Sequence, residues 1–437
     1  MTSWEDPGRE AAKGRWMAFI AAYLGWMFDG MEMGLFPLVA RPALMELVGA
    51  DAQKNLGGWI SAVISVFLIG AAIGGVFFGW LGDRIGRVKA LAWSVLTYSI
   101  FTGLCAFAQA PWQLAALRFV ASLGMGGEWA LGVALVMEVW PSRSRPLLAG
   151  VVGSGSALGF LLIALLSLGL GRFVGAVGGG LRAVLPDPWV DALLSHGGWR
   201  LLMLMGALPA LLTFFIRMMV PESERWRKTV RSAPRAGIAD IFRSGLGKAT
   251  LAGAGLSAVA ILGTWGSVQW IPSWVHKMTH NEPGARETMQ ICLSIGSIVG
   301  MVITPLIAQT TTRRLAYFGV CFLSLVSCQI LFRTTTAYDG RFLLLVGIMG
   351  AFTAGFYGWL PLYLPELFPT RVRATGQGFS YNAARVLATA GTLAGGQLLD
   401  FYREDYSAMC AVISLVYVIG MILIWFCPET KGRPLPE

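Results

Sequence analysis

The chemistry open to this chain rests on a few ionisable residues set inside long apolar runs. A charged side chain in lipid costs roughly a few kcal/mol or more, so each is a functional candidate by default. Asp29 and Glu32 lie three apart in the first run and share a helix face. Two carboxylates that close in a low dielectric cannot both ionise easily, which is the property a proton-coupling site needs. Permanent pairing of one of them with an arginine is the other reading that stays open. Arg118 and Glu128 stand ten residues apart in the fourth run, about 15 Å along a helix, too far to pair with each other. Arg118, a substrate-binding candidate, is placed to meet Asp29 or Glu32, as a structural or as a coupling pair. Glu128, beside Trp129 and glycines, is the stronger site candidate. In the eleventh run Tyr381, Asn382 and Arg385 stand close together. A guanidinium there could hold a carboxylate by a bidentate contact while first-half carboxylates handle the proton, and helix packing is the competing role. Gln269, Trp265, Trp270, Tyr357, Trp359 and Tyr363 are candidates to line the second half's cavity; aromatics also form interfacial belts.

Enzymatic chemistry has little support. His276 and His280 have the spacing of HExxH but lack its glutamate and fall in a short loop. The chain has neither a GxSxG elbow nor a GxxxxGK[ST] phosphate loop. All three histidines fall in loops, so a proton relay must use carboxylates. Six cysteines sit in or at the ends of apolar runs without a CxxC pair, which reads as free buried thiols and no metal site. No cofactor is called for.

The elements that position these residues follow from composition. Hydrophobic residues make up 55% of the 437 and charged residues 13%, against about 25% charged in a soluble domain. A bilayer core about 30 Å thick takes roughly 20 apolar residues per spanning helix. We expect twelve such spans: 16–40, 58–80, 90–110, 113–138, 147–171 and 199–220, then 249–272, 289–309, 315–332, 342–364, 376–399 and 408–427. The runs are continuous, not alternating, so helices satisfy their backbone in lipid. The first run is too long for a signal h-region and no small-residue cleavage site ends it. With the N-terminus cytoplasmic, 22 of the 34 Lys and Arg fall inside and 10 outside, and Arg118 and Arg385 stay within spans. That satisfies the positive-inside rule with both termini cytoplasmic, and it accounts for the net charge of +10 without nucleic acid.

A repeat divides the chain. Glu138 to Arg145 reads EVWPSRSR and Glu366 to Arg373 reads ELFPTRVR, 228 residues apart, each at the end of a fourth span. The sixth spans end in PESERW from Pro221 and PETKGR from Pro428. Duplication of a six-helix unit makes residues 1–220 one half, 221–248 a cytoplasmic linker with a short surface helix, and 249–437 the second half with a short tail. The expected fold class is an all-α membrane protein of twelve transmembrane helices in two pseudo-symmetric six-helix bundles, sufficient as a monomer in the bilayer.

Between spans 2 and 3, Gly79 to Leu91 reads GWLGDRIGRVKAL. This resembles the signature loop of the major facilitator superfamily, G-x-L-a-D-R-x-G-R-[K/R]. Gly82 and Gly86 permit a tight turn, and Asp83, Arg84 and Arg87 supply charges for salt bridges. Arg118 followed by Gly124 and Gly126 resembles the family's second motif, and the likeness covers nearly the whole chain. It implies alternating access around a midplane site, with this loop a latch on one access state. Glu138, Arg143, Arg145, Glu366, Arg371 and Arg373 are expected to join Asp83, Arg84 and Arg87 in a gating network at the cytoplasmic face. The second-half loop, Gln309 to Arg314, has lost the pattern, which argues against a symmetric latch.

Within the superfamily, DGME at Asp29, GGEW at Gly126, PESERW and the segment LPELFPTRVRATGQGFSYNAAR from Leu364 are similar to bacterial metabolite:proton symporters that take up carboxylates. Aromatic acids, sialic acid and dicarboxylates are their substrates. Sugar porters share PES-x-RW and PETKG. The resemblance implies proton-coupled symport of a small organic solute, a carboxylate, across the bacterial inner membrane. A sugar porter, a proton-antiport exporter and a non-transporting nutrient sensor are the alternatives, and sodium could replace the proton.

Overall fold

The structure is a computed structural model that describes residues 7–49, 52–232, 236–243, 245–393 and 395–437. Residues 233–235 and 244 of the expected linker, and residue 394 of the expected eleventh span, lie outside the described residues. In chain order the helices are α1 (Pro7–Val48), α2 (Ala52–Ile85), α3 (Arg87–Leu104), α4 (Pro111–Val139), α5 (Arg145–Leu168), α6 (Leu170–Arg182), α7 (Asp187–Met205), α8 (Ala210–Met219) and α9 (Glu224–Ser232). They continue as α10 (Leu246–Gly266), α11 (Ile271–Met278), α12 (Ala285–Thr310), α13 (Arg313–Thr334), α14 (Gly340–Leu367), α15 (Arg373–Leu393), α16 (Gly395–Phe401), α17 (Tyr406–Ile413) and α18 (Val416–Leu423).

Among the described residues, ten helical stretches are long and apolar enough to cross a membrane, and they fall on ten of the expected spans. The other two expected spans, 16–40 and 376–399, fall on α1 and on α15 with α16. These stay outside the set because they are more polar: α1 carries Asp29 and Glu32, and α15 carries Gln377, Asn382 and Arg385. Large apolar side chains such as Ile73, Phe77, Trp93 and Ile303 point outward, as lipid allows and water would not. Helix starts after polar joints are capped in the usual way: Thr312, Asp339 and Asp405 accept from the N–H groups of Leu315, Phe342 and Ala408.

Helix α2 lies along α4 and α15, α5 along α1 and α12, and α12 along α14. The α2–α15 and α5–α12 contacts join helices before residue 220 to helices after residue 245. The α2–α3 joint turns on Gly86, whose φ of 107° is open to glycine and strained for other residues. Gly82 corrects the expectation. It is helical, inside α2, and its missing Cβ makes room for Leu131, whose Cδ2 would lie 2.1 Å from it.

Other differences lie outside the expected spans. The expected loop between 171 and 199 holds α6 and the first part of α7, packed on each other. The chain then bends where His196, Gly197 and Gly198 take φ of 49°, 77° and 72°. The expected seventh span breaks after Gly266 into a short 3-10 turn and α11. The expected surface helix of the linker is α9, pinned by Trp226, whose Nε1 donates to the Asp83 carbonyl at 2.9 Å.

Candidate functional site

A cavity of about 1600 Å³ runs between α1, α2 and α5 on one side and α10, α11, α12, α14 and α15 on the other. It reaches the surface among Arg41, His276, His280, Arg286 and Glu404, on the face opposite the α2–α3 joint. Its wall on α1 and α5 is mostly apolar between the two ends, with Met33, Phe36, Phe160 and Ile163. The facing wall is polar, with Thr264, Gln269, Gln290, Ser294 and Ser297. At the closed end stand Trp26, Asp29, Tyr381 and Arg385. Of the residues singled out in the sequence, Asp29, Trp265, Gln269, Tyr357, Tyr381 and Arg385 thus share one cavity.

The acid pair differs from the one expected. Asp29 and Glu32 are three residues apart but serve different partners. Glu32 is ion-paired with Arg118 and accepts from the Thr102 hydroxyl at 3.2 Å. The Arg118 guanidinium sits over the rings of Phe36 and Phe67, 4.4 and 4.7 Å from their centroids. Arg118 is therefore buried against Glu32 and outside the cavity lining, a correction to its place among the substrate-binding candidates. Asp29 instead faces Glu128 of α4, near enough for the two carboxyl groups to influence each other. Gly25 makes this possible, since a Cβ there would lie 1.7 Å from Glu128 Oε1. Both carboxylates are buried, and none of their four oxygens has a donor among the described residues. Two buried anions with no donor are costly, whereas one proton held between them lets one carboxyl donate to the other.

Arg385 is 6% exposed, lies near enough to Asp29 for their charges to interact, and covers the Tyr381 ring at 5.7 Å. Its Nη1 has no partner among the described residues. A buried guanidinium nitrogen at the end of a cavity is a ready donor to a carboxylate. Beside it the Tyr357 and Thr264 hydroxyls share a 2.5 Å hydrogen bond. Two expected neighbours lie elsewhere. Asn382 is buried between helices, donating to the Gly378 carbonyl at 2.9 Å and the Gly126 carbonyl at 3.3 Å, so it packs helices and does not reach the cavity. Trp359 is stacked on Tyr363 at 4.4 Å and lies against Tyr317 at 4.7 Å in the interior of the later helices. Sequence reasoning missed Trp26, which precedes Asp29 by three residues on the same face. It also missed the polar row Gln290, Ser294 and Ser297, whose helical spacing was the available signal.

The opposite face is sealed by buried charges. Arg87 donates to Asp83 at 2.7 Å, to Glu138 at 3.0 Å and to the Thr370 carbonyl at 2.8 Å. Arg373 donates to the same Glu138 oxygen at 2.9 Å and to the Pro436 carbonyl at 2.6 Å. Asp83 accepts from the N–H of Thr375 at 2.9 Å and its hydroxyl at 2.5 Å. The remaining members of the expected network are dispersed. Glu366 pairs with Arg313 at 2.8 Å, and Arg371 lies 3.8 Å from Asp240. Arg145 donates to the Trp140 carbonyl and Ser142 hydroxyl. Arg84 covers the Trp80 ring at 4.6 Å and Arg143 is exposed, so neither enters an ion pair among the described residues. Both stand apart from the charge cluster: Arg143 lies exposed between α4 and α5, and Arg84 is half-buried in the last turn of α2 against Trp80.

A helical membrane protein with a deep cavity open at one face, and a buried charge cluster closing the other, is built to carry a solute across. The chain belongs to the Major Facilitator Superfamily, whose profile matches residues 16–392. It is similar to a protein of Cupriavidus pinatubonensis named "Probable 4-methylmuconolactone transporter", 31% identical over 441 residues, covering 99% of this chain and 94% of that one. The cis,cis-muconate transport protein of Acinetobacter baylyi is 28% identical over 424 residues, covering 92% of this chain and 94% of that one. Among solved structures, the proton:xylose symporter XylE bound to 6-bromo-6-deoxy-D-glucose shares the fold. Its TM-score is 0.73 at 17% identity, and the match covers 97% of this chain and 98% of that one. The chain is a multi-pass membrane protein and a secondary transporter of a small organic solute, not an enzyme.

Proposed function

We propose that this transporter is a proton-coupled symporter of a small organic carboxylate, taken up across a bacterial inner membrane. The observation that carries the reading is the buried Arg385 with a free Nη1 at the cavity's end, close to an acid pair that lacks donors. In this reading twelve helices form two six-helix halves, 1–220 and 249–437, joined by the 221–248 linker, with both termini and the basic face in the cytoplasm. The cavity then opens outward. The solute's carboxylate binds Arg385 and its polar edge meets Gln269, Gln290 and Tyr357, while its apolar face rests on α1 and α5.

The proton sits on the Asp29–Glu128 pair. With that pair protonated, Asp29 no longer competes for Arg385, and the guanidinium is left to the solute. Carrier rocking then breaks the Asp83–Thr375 and Glu138–Arg373 contacts, and the cavity opens inward. The names of the muconate and methylmuconolactone transporters support a carboxylate-type cargo.

The test is uptake into proteoliposomes with and without an acid-outside pH gradient. Aromatic acids, sialic acid and dicarboxylates are compared with neutral hexoses, and Asp29→Asn and Arg385→Ala serve as controls. Gradient-driven accumulation of a carboxylate, lost in both variants, is the expected result. Hexose uptake that is indifferent to Arg385→Ala would overturn the reading.

A further inference from the structure

The cavity ends on a pair of stacked aromatic rings for which neither the charge cluster nor the acid pair accounts. Trp129 of α4 and Tyr381 of α15 lie face to face, their centroids 3.9 Å apart and their planes 14° from parallel. The stack joins an early helix to a late one. Tyr381 lines the cavity, whereas Trp129 lies behind it, 3% exposed, in one buried cluster with Ala130, Val133 and Met137. Trp26 fills the corner, its ring 6.4 Å from Trp129 and 6.3 Å from Tyr381. These rings form the cavity floor. From there α4 continues through closely packed apolar side chains to Glu138 and the sealed face.

What the rings adjoin sets them apart from ordinary packing. Trp129 directly follows Glu128, and Tyr381 is one turn from Arg385, whose guanidinium lies over the tyrosine ring 5.7 Å from its centroid. The Trp129 Nε1–H has no acceptor among the described residues, so no hydrogen bond ties the indole in place. A stacked pair held by dispersion and quadrupole terms can part without stranding a charge in a dry interior. The buried ion pairs beneath it cannot part so easily.

We propose that the Trp129–Tyr381 stack is the inner gate of the transport pathway. Closed, it separates the cavity from the cytoplasmic side. It opens when a solute draws Arg385 away from the Tyr381 ring and the proton on the neighbouring acid pair shifts. The proposal rests on the reading of Arg385 and the acid pair as solute and proton sites, but the gate can be tested without either.

The experiment uses Val133→Cys, one turn beyond Trp129 on α4, in the full chain carrying Cys292→Ser. A membrane-impermeant thiol reagent is applied from the face on which the cavity opens. Trp129→Ala and Tyr381→Ala are each expected to raise labelling about tenfold, the shift that losing a stacked pair can carry, and Trp129→Phe to restore protection. In the same liposomes Trp129→Ala keeps solute exchange but loses gradient-driven accumulation. Labelling unchanged in whichever alanine variant folds overturns the gate. Labelling needs no substrate, so increased labelling without carboxylate uptake would support the gate while the carboxylate reading falls. Carboxylate uptake with unmoved labelling gives the reverse.

Discussion

Asp83 and Thr375 meet across the interface between early and late helices, the carboxylate taking both the backbone N–H at 2.9 Å and the hydroxyl at 2.5 Å. The Ala374 N–H adds a third bond at 3.2 Å. These donors belong to the first turn of α15, where N–H groups lack intrahelical acceptors and the helix dipole favours an anion. The repeat does not reproduce this contact. The offset that carries Arg87 to Arg313 places Gln309 where Asp83 stands, and the offset from Glu138 to Glu366 places Pro146 where Ala374 stands. Proline has no N–H to give. The rest of the cluster is repeated. Arg87 pairs with Glu138 and its N–H is held by Glu222 at 3.0 Å, while Arg313 pairs with Glu366 and its N–H is held by Glu429 at 3.1 Å.

Asp83→Asn keeps an acceptor and loses the charge. It should cost the closed state about 2 kcal/mol, an approximately thirtyfold shift toward opening of this face. Spin labels at positions 143 and 310, both exposed there, should report longer distances. Gln309→Asp restores the acid without its donor, so its distances should match those of the unaltered chain.

The acid pair predicts an unusual glycine effect. Replacing glycine by alanine inside a helix normally stabilises by roughly 0.5–1 kcal/mol. At Gly25 the new methyl would collide with Glu128 Oε1. Gly25→Ala should therefore lower pH-driven accumulation on the order of tenfold, the direction also expected of Asp29→Asn and Glu128→Gln, while solute exchange persists. Unimpaired accumulation in Gly25→Ala would show that the Asp29–Glu128 contact does not serve coupling.

Glu32 should behave differently from Asp29, although both are carboxylates of one helix face. Glu32→Gln leaves the Arg118 guanidinium buried and unpaired between two phenylalanine rings. Breaking one side of a buried pair costs about 3–5 kcal/mol. The melting temperature in detergent should drop sharply for Glu32→Gln and little for Asp29→Asn. Equal losses would mean that the acid pair is as much a structural device as the ion pair.

Much of the architecture was written in apolar run lengths, which is why ten of the spanning stretches fall where expected. Arg118 could be matched to α1 because both lie in apolar runs and charge must find charge. Which of two acids it would take depends on the rotation of α1 against α4. A three-residue spacing cannot convey that, because residues three apart still point about 60° away from each other around a helix and can face different neighbours. The same limit misplaced Asn382 and Trp359. Asn382 follows Tyr381 by one residue, yet it turns from the cavity into the interface with Gly126. Trp359, two residues after the cavity-lining Tyr357, turns inward to Tyr363 and Tyr317.

The paired clusters on the sealed face should respond oppositely to acid. Burial pushes the Glu222 carboxyl above its ordinary range, only partly offset by the Ser223 N–H, the Arg87 charge and the N–H groups of Val88 and Arg87. Burial acts the same way on Glu429, but the N–H groups of Lys431, Arg314 and Arg313 outweigh it and hold the carboxyl low. A carboxyl held low contributes stability that is complete above the ordinary range and lost as pH falls through the lowered value. One held high contributes on the acid side and loses that contribution as pH rises through the raised value. At pH 7, Glu429→Gln should therefore destabilise by about 1 kcal/mol once its partial exposure to solvent is discounted, and the difference should fade toward about pH 4. Glu222→Gln should cost less at pH 7, because ionisation there is already penalised. Thermal unfolding of both variants in detergent from about pH 4 to 8 checks this, and parallel curves would mean that the two clusters hold their glutamates alike.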